Sequence, residues 1–268
     1  SLVIGHWSLV IGHWSLVIGH RLIFKLNLYL HNMKNTLEGI VLQKIDYSET
    51  SVIVKLLTES GVQSFIFQGA KRKNKSGNLM SPMAILNVEY YHRKDSELGK
   101  VTAVESSVIY RNIPFDPYKS SILFFVNEVL LNVLKERDES PELYIFIRSI
   151  LQILDESPHT ANFPIKFLYE LTRFLGFYPT VSDSPKYFDF QEGSFVPYLP
   201  NHPFHLDEEK SALLLAVSGT KFDGLSEPKI GLEIRRQLVY DLLSYYKVIF
   251  ENFKDIQSLA VLESTFHD

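Results

Sequence analysis

Residues 38–76 read EGIVLQKIDYSETSVIVKLLTESGVQSFIFQGAKRKNKS. Three short runs rich in Val, Ile and Phe are broken by turn residues, and the stretch ends in a burst of positive charge. Gly39–Ile45 alternates apolar and polar residues around Ile40 and Leu42. Ser51–Leu57 does the same through Ile53 and Leu56, and Phe65–Phe67 follows the turn at Ser60-Gly61. This spacing predicts consecutive antiparallel strands of a meander, with Gly61 supplying the tight reversal. Lys71, Arg72, Lys73 and Lys75 then place four cations within five positions, beside Asn74, Ser76 and Gly77. A small β-unit with a basic loop at its rim suits an anionic polymer.

Outward from that stretch, Met83–His92 predicts a fourth strand ending in Tyr90-Tyr91, and Lys100–Val108 a fifth through Val101 and Ala103. The polar turn between them adds Arg93 and Lys94 to the candidate cations for binding such a polymer. Five short strands with a long loop after the third fit a small closed barrel, either an OB-fold or an SH3-like one. Ile113-Pro114-Phe115-Asp116-Pro117 then forbids a continuous element. Asp116 before Pro117 is a helix start, N-cap followed by N1.

From Tyr118 the apolar period becomes helical, with Ile122, Phe125, Val129, Leu130, Val133 and Leu134 on one face. Ser140-Pro141 starts a second helix. A third is expected over 162–175, with Pro164 in its tolerated first turn and Gly176 as its C′ residue. Residues 178–206 are aromatic and proline-rich, without helical period. They are expected to be an ordered but irregular insert, because Tyr187, Phe188, Phe190, Phe195 and Tyr198 are too apolar for a free linker. Helices resume at Asp207–Val217 and Ile230–Asn252, and the tail Ile256–Leu262 closes a helical bundle.

The Glu38–Ser76 stretch also resembles the RecO family of bacterial recombination mediators. In that family a GIVL-type strand, a YSETS-like turn, a T-E-x-x-G turn and a basic loop occur in this order. The likeness continues through Gly176-Phe177-Tyr178-Pro179 and Ser258-Leu259-Ala260-Val261-Leu262, covering most of the chain from about Leu37 onward. It implies an OB-fold rather than an SH3-like barrel. The fold class expected is therefore α+β: an OB-fold DNA-binding domain over residues 33–113, then a helical partner-binding domain over 114–268.

Composition agrees with a two-domain globular chain: 268 residues, 46% apolar and 22% charged, which excludes wholesale disorder. The absence of cysteine excludes disulfides and thiolate zinc sites. The net charge of −4 hides an asymmetry. Lys34 to Phe115 carry 11 Lys and Arg against 8 Asp and Glu, whereas Asp116 to Asp268 carry 14 against 23. The N-terminal half suits nucleic acid; the acidic half does not suit it across its whole surface. No apolar stretch is long enough for a membrane span.

The first 20 residues repeat SLVIGHW. Gly in every heptad and the lack of e/g charges argue against a coiled coil. Bare repeats of this kind rarely make a metal array from His6, His13 and His20. Residues 1–32 are read as a non-native or disordered extension ahead of a start at Met33.

Gly69–Ser76 differs from a phosphate loop at Asn74 and lacks a following helix, which argues against nucleotide hydrolysis. Tyr47, Phe65, Phe67, Tyr90 and Tyr91 are either core aromatics or base-stacking platforms, with Phe65 and Phe67 expected to point inward. His202 and His205 have ligand-like spacing but no supporting third ligand, so no metal is expected. Some members of the family carry a four-cysteine zinc module after the G-F-Y-P motif. This chain has cysteine-free Tyr187–Val196 there, and no cofactor is carried over. Glu49 is expected to tie down the YSET turn, and no catalytic motif argues for an enzyme.

Lys166 and Arg173 lie one heptad apart on the third helix, where they read as exposed cations of an amphipathic face. The resemblance implies a sharper role, docking the acidic, apolar-ended tail of single-stranded-DNA-binding protein. It further implies a cytoplasmic, nucleoid-associated mediator that binds and anneals single-stranded DNA, with duplex DNA as a second ligand. Such a protein engages RecR and helps load RecA. The rival expectation is a protein-interaction scaffold whose basic loop is merely solvated.

Overall fold

The computed structural model describes residues 34–71, 79–92, 98–136 and 139–265. The SLVIGHW repeat and the candidate cations Arg72, Lys73, Lys75, Arg93 and Lys94 lie outside the described residues. Five strands, β1 (Asn35–Asp46), β2 (Val52–Thr58), β3 (Gly61–Phe67), β4 (Ile85–His92) and β5 (Gly99–Ser106), close into a barrel of order β1-β2-β3-β5-β4. Neighbours are antiparallel except β3 and β5, which pair in parallel through Phe65↔Gly99 and Ile66↔Lys100. This is the OB-fold arrangement that periodicity alone left open.

Strand alternation sorts the barrel's two faces. Val52, Val54 and Leu56 of β2, Phe65 and Phe67 of β3, and Leu86 and Val88 of β4 fill the interior. Gly99 lets β5 approach that core, since a Cβ there would sit 2.6 Å from the Phe65 ring. Ile40, Leu42, Leu57, Val62, Met83 and Ile85 share the other core, the one built with the helices.

Strand boundaries shift by up to a few residues from those the sequence predicts, and for two of them the structure gives the reason. β1 begins at Asn35, one residue ahead of the strand region read from the sequence at Thr36, because Asn35–Glu38 pairs with β4. β4 begins at Ile85 because Met83 takes a left-handed φ of 63° and gives its N–H to the Val41 carbonyl at 2.6 Å.

Among the described residues six α-helices follow: α1 (Pro117–Val133), α2 (Pro141–Glu156), α3 (Phe163–Phe174), α4 (Glu208–Gly219), α5 (Leu232–Ile249) and α6 (Ser258–Thr265). Asp116 caps α1 by accepting the N–H groups of Tyr118 and Lys119, and Ser140 caps α2 through Leu143 N–H. Gly176 has φ +83°, and the Phe177 N–H returns to the Thr172 carbonyl at 3.1 Å, ending α3 in a Schellman turn. The Glu128 carboxylate of α1 accepts the backbone N–H groups of Gln257 and Ser258, each at 2.8 Å, and so caps the start of α6.

The 178–206 insert is ordered but not irregular. Short strands β6 (Thr180–Val181), β7 (Tyr187–Asp189), β8 (Ser194–Val196) and β9 (His205–Leu206) form a sheet of order β6-β8-β7-β9. Strands of two or three residues are too short to show a period, so sequence pattern misses them. Phe188 stacks on Phe195 at 4.7 Å and meets Tyr245 of α5 edge-on at 4.9 Å, which fixes the sheet to the bundle. His202 Nε2 lies 3.2 Å from the Asp189 carboxylate, and His205 Nδ1 donates to the His202 carbonyl at 2.7 Å. These imidazoles brace a loop. Among the described residues no group of three or more His, Cys, Asp or Glu is placed to hold a metal ion.

Two carboxylates join the barrel to the helices. Asp155, near the end of α2, accepts the backbone N–H groups of Arg111, Asn112 and Ile113, each at 2.8 Å. Glu38 of β1 accepts Tyr144 Oη at 2.5 Å and Arg148 Nε at 2.6 Å, and also the Ser107 hydroxyl. Burial works to raise the Glu38 pKa, but the hydrogen bonds from Arg148, Ser107 and Tyr144 outweigh it and hold the carboxyl at about 2. The lowered value contributes stability that is complete above the ordinary carboxylate pKa near 4.5 and is lost as pH falls towards about 2. Allowing for solvent screening, about 2 kcal/mol is expected to disappear across that window. Urea midpoints followed from neutral to acid pH check this: Glu38→Gln should flatten the acid limb and lower the neutral plateau.

Candidate nucleic-acid interface

The β1–β2 turn forms one edge of the candidate site. Tyr47 and Ser48 give their N–H groups to the Ser51 carbonyl, and the Ser48 hydroxyl accepts the Ser51 N–H at 3.1 Å. Ser48, not Glu49, ties the turn; Glu49 points into solvent. A serine oxygen two or three residues from a backbone N–H closes a small ring that the longer Glu side chain fits less well.

Lys71, the first cation of the basic run, is fastened to this turn. Its Nζ lies 3.0 Å from Asp46 Oδ2 and donates to the Ser48 carbonyl at 3.0 Å, while its backbone N–H reaches the Thr50 carbonyl. The basic run therefore begins at the β1–β2 end of the barrel. Lys71 acts there first as an anchor, its charge shared with Asp46.

Register gives the rest of the surface. Ile45 pairs with Ile53, Ile53 with Ile66, Ile66 with Lys100, and Lys100 with Tyr91. Paired residues share a face, so one outward row crosses all five strands. Lys100 Nζ stands 5.8 Å from the centre of the Tyr91 ring. Ile45 and Tyr47 are exposed, and Ile53, Ile66, Tyr91 and Lys100 are half-buried. Two residues farther along, Lys55 of β2 pairs with Ser64 of β3.

The five candidate aromatics divide cleanly. Phe65 and Phe67 are buried in the barrel, and Tyr90 turns in against Phe65 with ring centroids 4.9 Å apart. Burial raises the Tyr90 phenol pKa above its ordinary value. Tyr47 and Tyr91 remain on the outer side. Sequence reasoning missed Lys100 and the three isoleucines, because each becomes part of a surface only through cross-strand register. The outward parity of Ile53 and Ile66 was the available signal. A floor of this kind takes the flat faces of unpaired bases, and cations along its rim take phosphates.

On the helical side, Lys166 does not have the exposure the sequence predicts. It is 4% exposed and donates to Glu170 Oε1 at 2.8 Å and to the Ser218 carbonyl at 2.6 Å. Ser218 belongs to the last turn of α4, whose carbonyls lack helical partners, so Lys166 serves as a buried capping donor. The reason is that α3 runs through the middle of the bundle and buries most of its circumference. Arg173 is half-exposed; its guanidinium lies 4.0 Å over the Tyr178 ring, with Nε 3.4 Å from Glu170 Oε2. The structure does not bring these two cations together as one open rim.

Among the described residues no helix is long and apolar enough to cross a membrane. Family comparisons match both halves of the chain. The model described as Recombination protein O N terminal covers residues 33–110, and that described as Recombination protein O C terminal covers 114–251. The DNA repair protein RecO of Flavobacterium psychrophilum is 31% identical over 235 residues, covering 85% of this chain and 98% of the relative. The RecO proteins of Flavobacterium johnsoniae, 30% identical, and Phocaeicola vulgatus, 29% identical, match over the same 85% of this chain and over 98% and 97% of their own lengths. With an OB-fold barrel, a helical second half and matches to both family models, the chain belongs to the RecO family of bacterial DNA repair proteins.

Proposed function

We propose that this protein acts in DNA repair and recombination by holding single-stranded DNA on its barrel while its helical half recruits other repair proteins. The observation that carries the reading is the row Ile45, Ile53, Ile66, Lys100 and Tyr91, which lies on the outside of an OB-fold beside the turn that anchors the basic run. An apolar, aromatic floor serves unpaired bases and offers little to the closed edge of a duplex. Cations beside it supply affinity that is weakly sequence-dependent and sensitive to salt. Duplex DNA is then the weaker ligand, bound through phosphates alone.

Family membership supports the remaining roles: engaging single-stranded-DNA-binding protein through its acidic tail, engaging RecR, and helping to load RecA in the bacterial cytoplasm. Of the two candidate cations on the helical side, Arg173, half-exposed over Tyr178, is the one open to meet such a tail. The protein is proposed to be a non-catalytic mediator. Annealing follows from phosphate screening, because two strands held on cationic surfaces repel each other less than two free ones.

The test is the pairing rate of two complementary labelled oligonucleotides, with and without the protein. Acceleration at low salt that fades as salt rises is expected. A rate equal to the spontaneous one, in a protein that still binds its protein partners, would instead make the chain a pure interaction scaffold.

A further inference from the structure

Beside the row that carries the proposed function, the barrel's outer face holds a carboxylate in the way a phosphate is held. Glu136 Oε1 lies 2.9 Å from Lys55 Nζ and accepts a hydrogen bond from Ser64 Oγ at 3.3 Å. Lys55 and Ser64 are direct cross-strand partners, so register brings ammonium and hydroxyl to one point. An ammonium and a hydroxyl converging on a single anionic oxygen accept a phosphate oxygen as readily as a carboxylate one.

The carboxylate arrives on the connection between α1 and α2. α1 ends at Val133; its C-cap, Leu134, is extended with φ −86° and ψ 135°, and the chain then runs beside β3, where Glu136 bridges Val62 in the parallel sense. This strap borders a groove of about 360 Å³ whose walls include Phe65, His92, Leu98 and Glu139. The Lys55 and Glu136 side chains are 31% and 55% exposed, so water and competing anions reach the pair. An ion pair this open contributes little to stability and exchanges easily.

We propose that Lys55 and Ser64 form a phosphate subsite for single-stranded nucleic acid, which Glu136 occupies in the free protein and leaves when a strand binds. The inference rests on the proposed reading of the barrel as a single-strand-binding surface. The subsite lies two residues from Ile53 and Ile66 along β2 and β3, a step of about 7 Å. A strand whose base lies on the isoleucine floor thus carries its backbone past Lys55. A polynucleotide supplies both the flat apolar ring and the neighbouring anion, whereas an acidic peptide supplies the anion alone. The acidic strap makes the exchange selective: a weak or isolated anion does not displace a tethered carboxylate, but a strand already seated on the row does.

Glu136→Gln tests this with a labelled oligothymidylate. Affinity should rise about three- to tenfold at low salt with little change in salt slope, because the same phosphate contact forms and only the competing carboxylate is gone, whereas Lys55→Gln, which loses that contact, should flatten the slope of log K against log salt by about 0.7. Adding Lys55→Gln to Glu136→Gln should remove the gain. Thermal melting of each variant reports folding. Should Glu136→Gln unfold early, Ser64→Ala reads the same subsite and should weaken binding without changing the melting point. Unchanged affinity in Glu136→Gln, or an unchanged slope in Lys55→Gln, with the wild type still binding, overturns the subsite and leaves the barrel reading standing. Failure of the wild type to bind at all overturns both. A gain for an acidic peptide with none for the oligonucleotide assigns the pair to a protein carboxylate and overturns the proposal.

Discussion

Replacing Lys71, Arg72, Lys73 and Lys75 together by glutamate should weaken single-strand binding by about a hundredfold or more at low salt while the protein stays folded. Each phosphate neutralised on a single strand contributes about 0.7 to the salt slope, so losing four contacts should flatten it by about 3. Reversal adds repulsion to the loss, which is why the effect exceeds that of neutral substitutions. Stability should barely move. Lys71 is described as paired with Asp46, whose side chain is 76% exposed, and pairs in that setting contribute well under about 1 kcal/mol. Fluorescence anisotropy gives the affinity, and thermal melting shows whether the barrel survives. Lys71→Ala alone should act differently from its neighbours. Its amine braces the β1–β2 turn through Asp46 and Ser48, so it positions the run as well as adding charge. Affinity that the fourfold variant leaves unchanged would remove the basic run from the interface.

Asp155→Ala should cost the fold about 3 kcal/mol, with a fall in melting temperature of roughly 6–12 °C. The carboxylate is 6% exposed and accepts three backbone N–H groups from the segment that leaves the barrel for α1. Burial alone would raise its pKa, yet those three N–H groups and the nearby Lys119 charge hold it below the ordinary carboxylate value. Truncation leaves three donors without their acceptor in a place that water reaches poorly. Asp155→Asn keeps the size and one carbonyl oxygen, so its loss should be about half as large. Neither variant touches the barrel row. Below its melting temperature, each should bind single strands as the wild type does, which separates holding the domains together from holding DNA.

The barrel was legible because its strands carry their own turns. Gly61 reverses the chain, and Val and Ile alternate on either side of it. The choice of an OB-fold over another small barrel was not legible in periodicity. It depends on the parallel pairing of Phe65 with Gly99, a contact between strands far apart in the chain. The helix starts were legible for a local reason: Asp116-Pro117 and Ser140-Pro141 meet the donors of their own first turns. The second sheet was hidden because strands of two or three residues have no period to read.

The candidate site divides along the same line. A run of four cations is visible to anyone reading the chain, but the anchoring of Lys71 by Asp46 and Ser48 is not. Lys166 looked like a surface cation because helical spacing reports which residues share a face, not which faces a neighbouring helix covers. Its ammonium completes the end of α4. Lys100, Tyr91 and the isoleucines became a surface only once the register of five strands was known.

Binding of single-stranded nucleic acid to the barrel's outer row and the basic run, as proposed, rests on phosphate neutralisation. The measurement that meets it most directly is the affinity of the wild-type protein for a labelled single strand across a series of salt concentrations. A straight log–log fall with a slope corresponding to several phosphates is the predicted result. A flat line, or no binding at the lowest salt, would contradict it.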